Sequence, residues 1–529
     1  MDGTPAVQLE VRENEKQISG YTNSDDSRYL FDFDLVPEVI SDEAECKFPL
    51  RTALAEANDI NWSGGVFPFA SANAAIPYER RSENIYNRVI TELKWSAESN
   101  NMQRMKCYIE SLFMLLRHKV ILNNGNLQRT RIVWFYPISM TQHRFSLYKQ
   151  TWEDAYRKFF GADVTHVPAI TESIAPFEYY KKSKGNVVDL VSVDIGGGST
   201  DIVITRGGEV KYITSFRFAA NALFGDGLLT GNIGMQNGII RTYRARIMDS
   251  LRSDPALQDL QNILRTLEAR SVSADIATFF FSLRTNKDII AKHLEEQTNF
   301  QRMLQSDEKQ KAVFLIFYVA LIYHLATLMK LKGLPLPRHI AFSGNGSKVI
   351  QILTPDNDLL ERFTKRIFEK IYGESWHADG LSIYQNTSNP KEVTCKGGIV
   401  MEQARSYSDV SDAKVVLFNH QRAQFTDGET YRDIQRIKDE CLEQTVEDVR
   451  TFLRFLMELS EDFHFGQLFG VSDDAWERVK SNASRDLANY AARGWEQKMR
   501  EVAPSDHVEE TLFFYPVTGI IHALSDILI

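Results

Sequence analysis

Residues 191–204 read Val-Ser-Val-Asp-Ile-Gly-Gly-Gly-Ser-Thr-Asp-Ile-Val-Ile, the most informative stretch of the chain. An apolar run ends in Asp194, three glycines follow, and a second apolar run begins after Asp201. The pattern predicts two strands, residues 187–194 and 202–205, joined by a glycine turn. Glycine lets such a turn adopt positive φ and approach a ligand closely.

The turn carries groups that suit an anion. Consecutive backbone N–H groups form a concavity that binds phosphate, and Asp194 at the strand end is expected to face a Mg²⁺ ion or its waters. The stretch lacks the Gly-Lys-Ser/Thr ending of a Walker loop, and it leads into a strand, unlike the dinucleotide-binding motif. The alternative is a glycine-rich hairpin whose polar side chains satisfy only local backbone groups.

On either side of residues 191–204, short apolar runs alternate with segments that have the apolar periodicity of a helix. Residues 131–136 and 338–343 are predicted strands, and residues 145–159 have the apolar spacing of a helix. This alternation predicts an α/β fold in which helices pack on the faces of a sheet. Residues 236–335 and those beyond 406 are predicted to be mostly helical.

Three other segments add to the pattern. Residues 341–350 (AFSGNGSKVI) predict a strand that runs through a glycine turn into a helix. Residues 170–177 (ITESIAPF) place an acidic residue before small ones, and residues 391–399 (KEVTCKGGI) place a glycine pair near a helix start. In order and spacing, the four segments resemble the actin-like ATPase superfamily of actins, DnaK-type chaperones, sugar kinases and exopolyphosphatases. Among these families, the segments are most similar to the DnaK-like ATPase domains.

The resemblance implies an α/β, two-lobed actin-like fold, in which a mixed sheet with flanking helices is duplicated, followed by a C-terminal helical extension. Residues 1–186 would form the first lobe and residues 187–405 the second lobe, with both glycine loops and the closing helix. Residues 406–529 would form the extension.

The resemblance also assigns roles to residues. ATP or ADP would bind through its phosphates to residues 196–200, Asp194 would hold Mg²⁺, and Glu172 would orient or deprotonate the attacking water, which makes Asp194 and Glu172 the catalytic pair. Glu172 could instead be a surface residue in a helix's first turn, and Lys348 a solvated helix lysine. The nucleotide-binding residues implied are Gly196, Gly197, Gly198, Ser199, Thr200, Asp201, Gly344, Asn345, Gly346 and Lys348.

The sequence departs from the superfamily at its start. The first phosphate loop, Asp-x-Gly-Thr after an apolar strand, is matched only by Asp2-Gly3-Thr4 with no strand before it. We expect either a piece of a longer protein or a degenerate loop, which leaves ATP hydrolysis open. The expected function is a Mg²⁺-dependent, ATP-driven conformational switch. The alternatives are a phosphate-metabolism enzyme, such as an exopolyphosphatase or sugar kinase, and a scaffold that binds nucleotide without hydrolysing it.

Composition limits location and partners. The formal net charge of -9 over 529 residues argues against a nucleic-acid binder, and the four separated cysteines favour a reducing, cytoplasmic compartment. Residues 312–329 are apolar enough for a membrane span, but a span would separate residues 194–201 from 344–348, so we expect a core helix. The helical residues 406–529 are predicted to bind a protein partner, the alternative being that they pack on the core.

Overall fold

The computed structural model describes residues 52–57, 69–73, 86–90, 99–161, 163–185, 189–227, 237–270, 272–373, 376, 380–386, 390, 392–404, 414–415 and 429–529. Asp2-Gly3-Thr4 and Lys391 lie outside the described residues. So do the predicted domain boundaries at residues 186 and 405, and the three-domain division stays a prediction.

The described elements alternate as an α/β protein should before becoming helical. The strands are β1 (Thr52–Ala57), β2 (Phe69–Asn73), β3 (Tyr86–Ile90), β4 (Trp134–Tyr136), β5 (Ala169–Thr171), β6 (Leu190–Ile195), β7 (Thr200–Arg206), β8 (Glu209–Phe216), β9 (His339–Ser343), β10 (Ser382–Gln385) and β11 (Lys414–Val415). The helices are α1 (Ser99–Leu122), α2 (Gln142–Phe160), α3 (Ile174–Lys184), α4 (Ala220–Phe224), α5 (Gly238–Arg252), α6 (Gln258–Arg270), α7 (Ser273–Ser282), α8 (Lys287–Ala291), α9 (Glu295–Thr298), α10 (Phe300–Gln305), α11 (Lys311–Leu331), α12 (Lys348–Leu353), α13 (Asn357–Tyr372), α14 (Glu392–Ala404), α15 (Tyr431–Arg436), α16 (Lys438–Asp462), α17 (Phe465–Phe469), α18 (Asp473–Asn482), α19 (Leu487–Glu501) and α20 (Phe514–Ile527).

The chain folds as two compact units. The described residues within 1–134, 143–169 and 259–266 form one unit, and those within 135–142, 170–258 and 267–529 form the other. The first unit contains the antiparallel sheet β2-β1-β3 and an aromatic core in which Trp134 stacks on Trp152 at 5.3 Å between ring centroids. Every residue assigned to the candidate site lies in the second unit.

A six-stranded mixed sheet is the centre of the second unit. Its order is β10-β9-β6-β7-β8-β11, with β6 parallel to β9 and antiparallel to β7. On one face α3 and α14 pack together, and Gly397 of α14 lies so close to the Ala175 backbone that a side chain would not fit. On the other face lies α11, whose Tyr318 ring packs near the Phe342 ring of β9, with 6.2 Å between the ring centroids. The predicted α/β class is therefore confirmed.

Helix α11 contains the apolar run that could be mistaken for a membrane span. Among the described residues it is the one helix long and apolar enough to cross a membrane. Nearly all of its side chains are buried within the second unit, including Phe317, which stacks on Phe218 at 4.8 Å. This burial is consistent with the prediction of a core helix.

The C-terminal helices cover the same unit. The apolar stripe of α16 faces α11, where Tyr323 contacts Phe452 and Phe455 at 5.3 and 5.0 Å between ring centroids. At the start of α20, Phe514 stacks on Phe216 and Phe218, both at 4.4 Å. The stripe that suggested a partner is thus covered by the chain itself, as the alternative reading expected.

Candidate functional site

The glycine turn predicted from residues 191–204 is a tight hairpin between β6 and β7. All six side chains of β6 are buried, which anchors the strand in the sheet. The chain turns where the Gly196 N–H donates a hydrogen bond to the Ser199 carbonyl at 2.9 Å. Gly197 is exposed at the tip, with Gly196 and Gly198 half-buried. We call residues 196–199 the first glycine loop.

The backbone after β8 holds this loop from behind. The N–H groups of Ala220 and Asn221 donate to the carbonyls of Gly196 and Gly197, at 3.3 and 2.8 Å. The N–H groups of Gly197 and Gly198 donate no hydrogen bond to any other described residue. The carbonyls of Gly196 and Gly197 are therefore engaged within the fold, whereas the amides of the exposed Gly197 and the half-buried Gly198 keep their hydrogen-bonding capacity for a ligand, as an anion-binding turn requires.

The hydroxyl groups of the motif serve the fold in this structure. Thr200 is fully buried, and its Oγ1 donates to the Phe218 carbonyl at 2.6 Å. Ser199 Oγ donates to Asp201 Oδ2 at 3.2 Å. Of the groups predicted to meet phosphate, the backbone amides of the loop are thus the best placed.

A row of buried polar side chains crosses four neighbouring strands beside the loop. In register, Ser343 of β9 lies opposite Asp194 of β6, Asp194 opposite Asp201 of β7, and Asp201 opposite Ser215 of β8. Their exposed fractions are 0, 4, 2 and 3%. Residues opposite each other share a face and place their Cβ atoms about 5 Å apart. The two carboxylates predicted from the motif are therefore direct neighbours in a buried position.

Hydroxyl donors from the α3 and α14 face bind these carboxylates. Thr394 of α14 donates to Asp194 Oδ2 at 2.8 Å, and Ser173, just before α3, donates to Asp201 Oδ1 at 3.2 Å. Burial, with added effects of Tyr179 and the Asp194 charge, raises the pKa of Tyr180 above its usual value. The hydrogen bonds from Thr394 and Ser173 thus fix the two carboxylates in position at the strand ends.

The second glycine loop, residues 344–347, packs directly on the first. Gly344 has φ 78° and ψ 152°, and a Cβ there would overlap the Asp194 carboxylate and the Ile195 carbonyl. A Cβ on Gly346 would overlap the Gly196 carbonyl. Only glycine allows this approach, because β6 and β9 are adjacent parallel strands that end at the same edge. The two loops found separately in the sequence therefore form one structure.

Helix α12 leaves this second loop with its first residue toward solvent. Asn345 and Lys348 are exposed, and Ser347 closes the turn by donating its Oγ to the Gly344 carbonyl at 2.7 Å. Partial burial, together with the nearby Arg284 charge, lowers the pKa of Lys348. Two basic side chains, Lys348 and Arg284, thus lie near each other at the start of α12.

Glu172 lies near the same edge of the sheet. It precedes α3 and is half-buried, and its N–H donates to the Tyr136 carbonyl at 2.9 Å. Its neighbour Ser173 binds Asp201. Glu172 therefore lies two residues ahead of the helix and next to a residue that binds the carboxylate row, and its catalytic role stays a prediction.

Sequence reasoning missed four contributors: Thr394, Ser173, Ser343 and the segment after β8. Ser173 follows Glu172 and Ser343 ends a predicted strand, so both carried a signal. Thr394 lies within the segment 391–399 singled out from the sequence, but nothing local indicated its role, because it lies 200 residues from the carboxylate that it binds. The segment after β8 acts through backbone amides, which leave no trace in side-chain identity.

The residues present include carboxylates of the kind that hold Mg²⁺ together with a phosphate ligand. Among the described residues, no three His, Cys, Asp or Glu side chains group into an all-protein metal cage. Mg²⁺, however, is usually bound by one or two carboxylates plus waters and substrate phosphates. Asp194 and Asp201 supply such carboxylates, and the buried Ser343 Oγ has no hydrogen-bond partner among the described residues.

Comparisons with known proteins add little to this geometry. No protein-family model matches the sequence, and no curated protein is significantly similar to it. Among solved structures, the chain is similar to the crystal structure of MreB 5 of Spiroplasma citri bound to AMPPNP, with 13% sequence identity and a TM-score of 0.29, over 68% of this chain and 90% of that one. A TM-score this low does not establish a shared fold.

Proposed function

We propose that this chain is an ATP-binding protein with an actin-like fold that uses Mg²⁺-ATP as a conformational switch. The observation that carries the proposal is the contact between the two glycine loops beside Asp194, at the edge where parallel strands β6 and β9 end. In open α/β sheets, ligands bind outside the carboxyl ends of the parallel strands. A phosphate loop and an adenosine loop at this edge would let one nucleotide contact both.

The two loops would hold different parts of the nucleotide. The amides of Gly197, at the exposed tip, and of the half-buried Gly198 donate to the β- and γ-phosphates, while the carbonyls of Gly196 and Gly197 stay bound to the segment after β8. The adenosine passes over Gly344 and Gly346, where the backbone has no side chain in the way. Lys348, at the start of α12, contacts the base.

Asp194 and Asp201 would hold Mg²⁺ through its waters, with Thr394 and Ser173 fixing the two carboxylates. A bound Mg²⁺ supplies neutralisation of the phosphate charge. Glu172 orients or deprotonates the attacking water, provided that its carboxylate reaches hydrogen-bond distance from that water. Glu172 is the residue through which this site would hydrolyse ATP to ADP and phosphate.

The output of the site would be conformational. Contact between the loops and the γ-phosphate closes the site, and hydrolysis or release opens it again. We place this switch in the cytoplasm, with a protein partner bound through the helices of residues 406–529. Because their apolar stripe already packs on α11, such a partner would bind the outer surface of these helices.

Calorimetry with two aspartate variants tests the proposal. Asp194→Ala removes a carboxylate beside the loops and should weaken Mg²⁺-dependent ATP binding by about 1–3 kcal/mol, the range for a lost charge-assisted contact. Asp189→Ala is the matched control, since Asp189 precedes the same strand and binds the Gly207 N–H at the far end.

The control should bind ATP as wild type does. Equal losses in both variants would indicate general destabilisation, and no ATP binding by the wild-type chain would overturn the proposal. Phosphate release from inorganic polyphosphate but not from ATP would favour a phosphate-metabolism enzyme instead.

A further inference from the structure

Residues 217–221, which we call the strap, connect the first glycine loop with the C-terminal part of the chain. On one side, Ala220 and Asn221 donate their N–H groups to the loop carbonyls, and the Phe218 carbonyl accepts from Thr200. On the other side, the strap contacts residues almost 300 positions later in the sequence. The backbone of the loop and the C-terminal region thus share one short segment.

A buried carboxylate holds the beginning of the strap. Glu510 is 1% exposed, and its Oε2 accepts a hydrogen bond from the Arg217 N–H at 3.0 Å. Its charge is balanced by Lys498 at 2.8 Å, and its Oε1 accepts from the Tyr515 hydroxyl at 3.0 Å. Burial acts to raise the pKa of Glu510, but the Lys498 and Arg217 charges outweigh it and lower that pKa, so the group is a carboxylate.

Two additional contacts join the C-terminal region to this part of the chain. The Phe514 ring of α20 stacks on Phe218 at 4.4 Å between centroids, and the Arg217 guanidinium pairs with Glu501 of α19. After α4, the Gly225 carbonyl lies 2.9 Å from His522 Nε2 of α20. The C-terminal helices therefore hold the strap at its start and hold the chain again just beyond its end.

We propose that Glu510 and Phe514 are positioning residues for the first glycine loop, so that the C-terminal helices set the conformation in which Gly197 and Gly198 meet phosphate. The inference rests on the proposed function, and it names the regulation of the same site. A charged acceptor binds a backbone N–H more strongly than a neutral one does. Loss of the Glu510 charge or of the Phe514 ring should therefore loosen the strap and, with it, the amides that hold the loop.

The test compares affinities for ATP and for adenosine in four variants of the full chain. Glu510→Gln and Phe514→Leu should each weaken ATP binding by about tenfold, a typical coupling between sites. Adenosine binding should be unchanged, since the strap contacts described above go to the first loop. A merely structural role would lower both affinities together or neither.

Two neighbouring residues provide matched controls. Glu509→Gln removes a carboxylate from the same cluster, but Glu509 binds Lys498 and the Tyr431 hydroxyl. Phe513→Leu removes an adjacent buried ring, which stacks near Tyr323 and His324 and meets Phe514 edge-on, so it also controls for general loosening around Phe514. Both controls should keep the wild-type ratio of ATP to adenosine affinity.

Hydrogen–deuterium exchange without nucleotide gives a second readout. The amides of Ala220 and Asn221 should exchange faster in Glu510→Gln and Phe514→Leu than in the controls, and if one variant fails to fold, the other decides. An unchanged affinity ratio with unchanged exchange overturns the inference but leaves the proposed function standing. If the wild-type chain binds no nucleotide, the proposed function fails first, and the inference fails with it.

Discussion

Replacing Gly344 with alanine tests whether the two glycine loops touch. Gly344 has φ 78° and ψ 152°, a region that costs other residues about 1–3 kcal/mol. A Cβ there also overlaps the Asp194 carboxylate and the Ile195 carbonyl, and relieving such an overlap costs about 1–3 kcal/mol more. We therefore expect Gly344→Ala to lower the free energy of unfolding by about 2–6 kcal/mol.

Gly373→Ala is the control that separates the two costs. Gly373 ends α13 with φ 74°, and a Cβ there has nothing within 4 Å, so only the backbone cost of about 1–2 kcal/mol applies. Urea unfolding should therefore show a larger loss of stability for Gly344→Ala than for Gly373→Ala. Calorimetry should find ATP binding weakened in the Gly344 variant alone. Equal destabilisation of both variants would refute the contact between the loops.

Two changes elsewhere give further predictions. Glu172→Gln should leave ATP binding intact and slow any hydrolysis about 10²-fold, as loss of a general base does; a phosphate-release rate equal to that of wild type would assign Glu172 a structural role. Burial raises the pKa of Asp448 to about 7, so the folded chain binds this proton where the unfolded chain does not, and stability falls as the pH rises from about 4 to 7. Asp448→Asn should therefore raise the melting temperature at pH 8 but not at pH 4, and a pH-independent effect would contradict the assignment.

The sequence predicted what is local to β6, β7 and β9. The glycine hairpin, the turn after Ser343 and the buried apolar helix all follow from runs of a few residues whose burial and turn chemistry are encoded side by side. The adjacency of the two glycine loops followed only from the family resemblance, because it depends on β6 and β9 pairing across about 150 residues.

The support around the site could not be predicted in this way. Thr394 binds Asp194 across 200 positions, and Glu510 binds the Arg217 N–H across 293. Such pairs are set by tertiary packing, and one of the two partners in the second pair is a backbone amide that every non-proline residue has. The C-terminal helices were predicted from their apolar periodicity, but periodicity alone could not decide between a partner and the core as the surface that covers them.

In the proposed site, the first glycine loop binds phosphate and the second binds adenosine. Calorimetry with Mg²⁺ can separate these two roles by measuring the affinities of the wild-type chain for adenosine, AMP, ADP and ATP. We predict detectable binding of adenosine and a stepwise gain as the β- and γ-phosphates are added. ATP binding no tighter than adenosine binding, or no binding by any of the four, would contradict these roles.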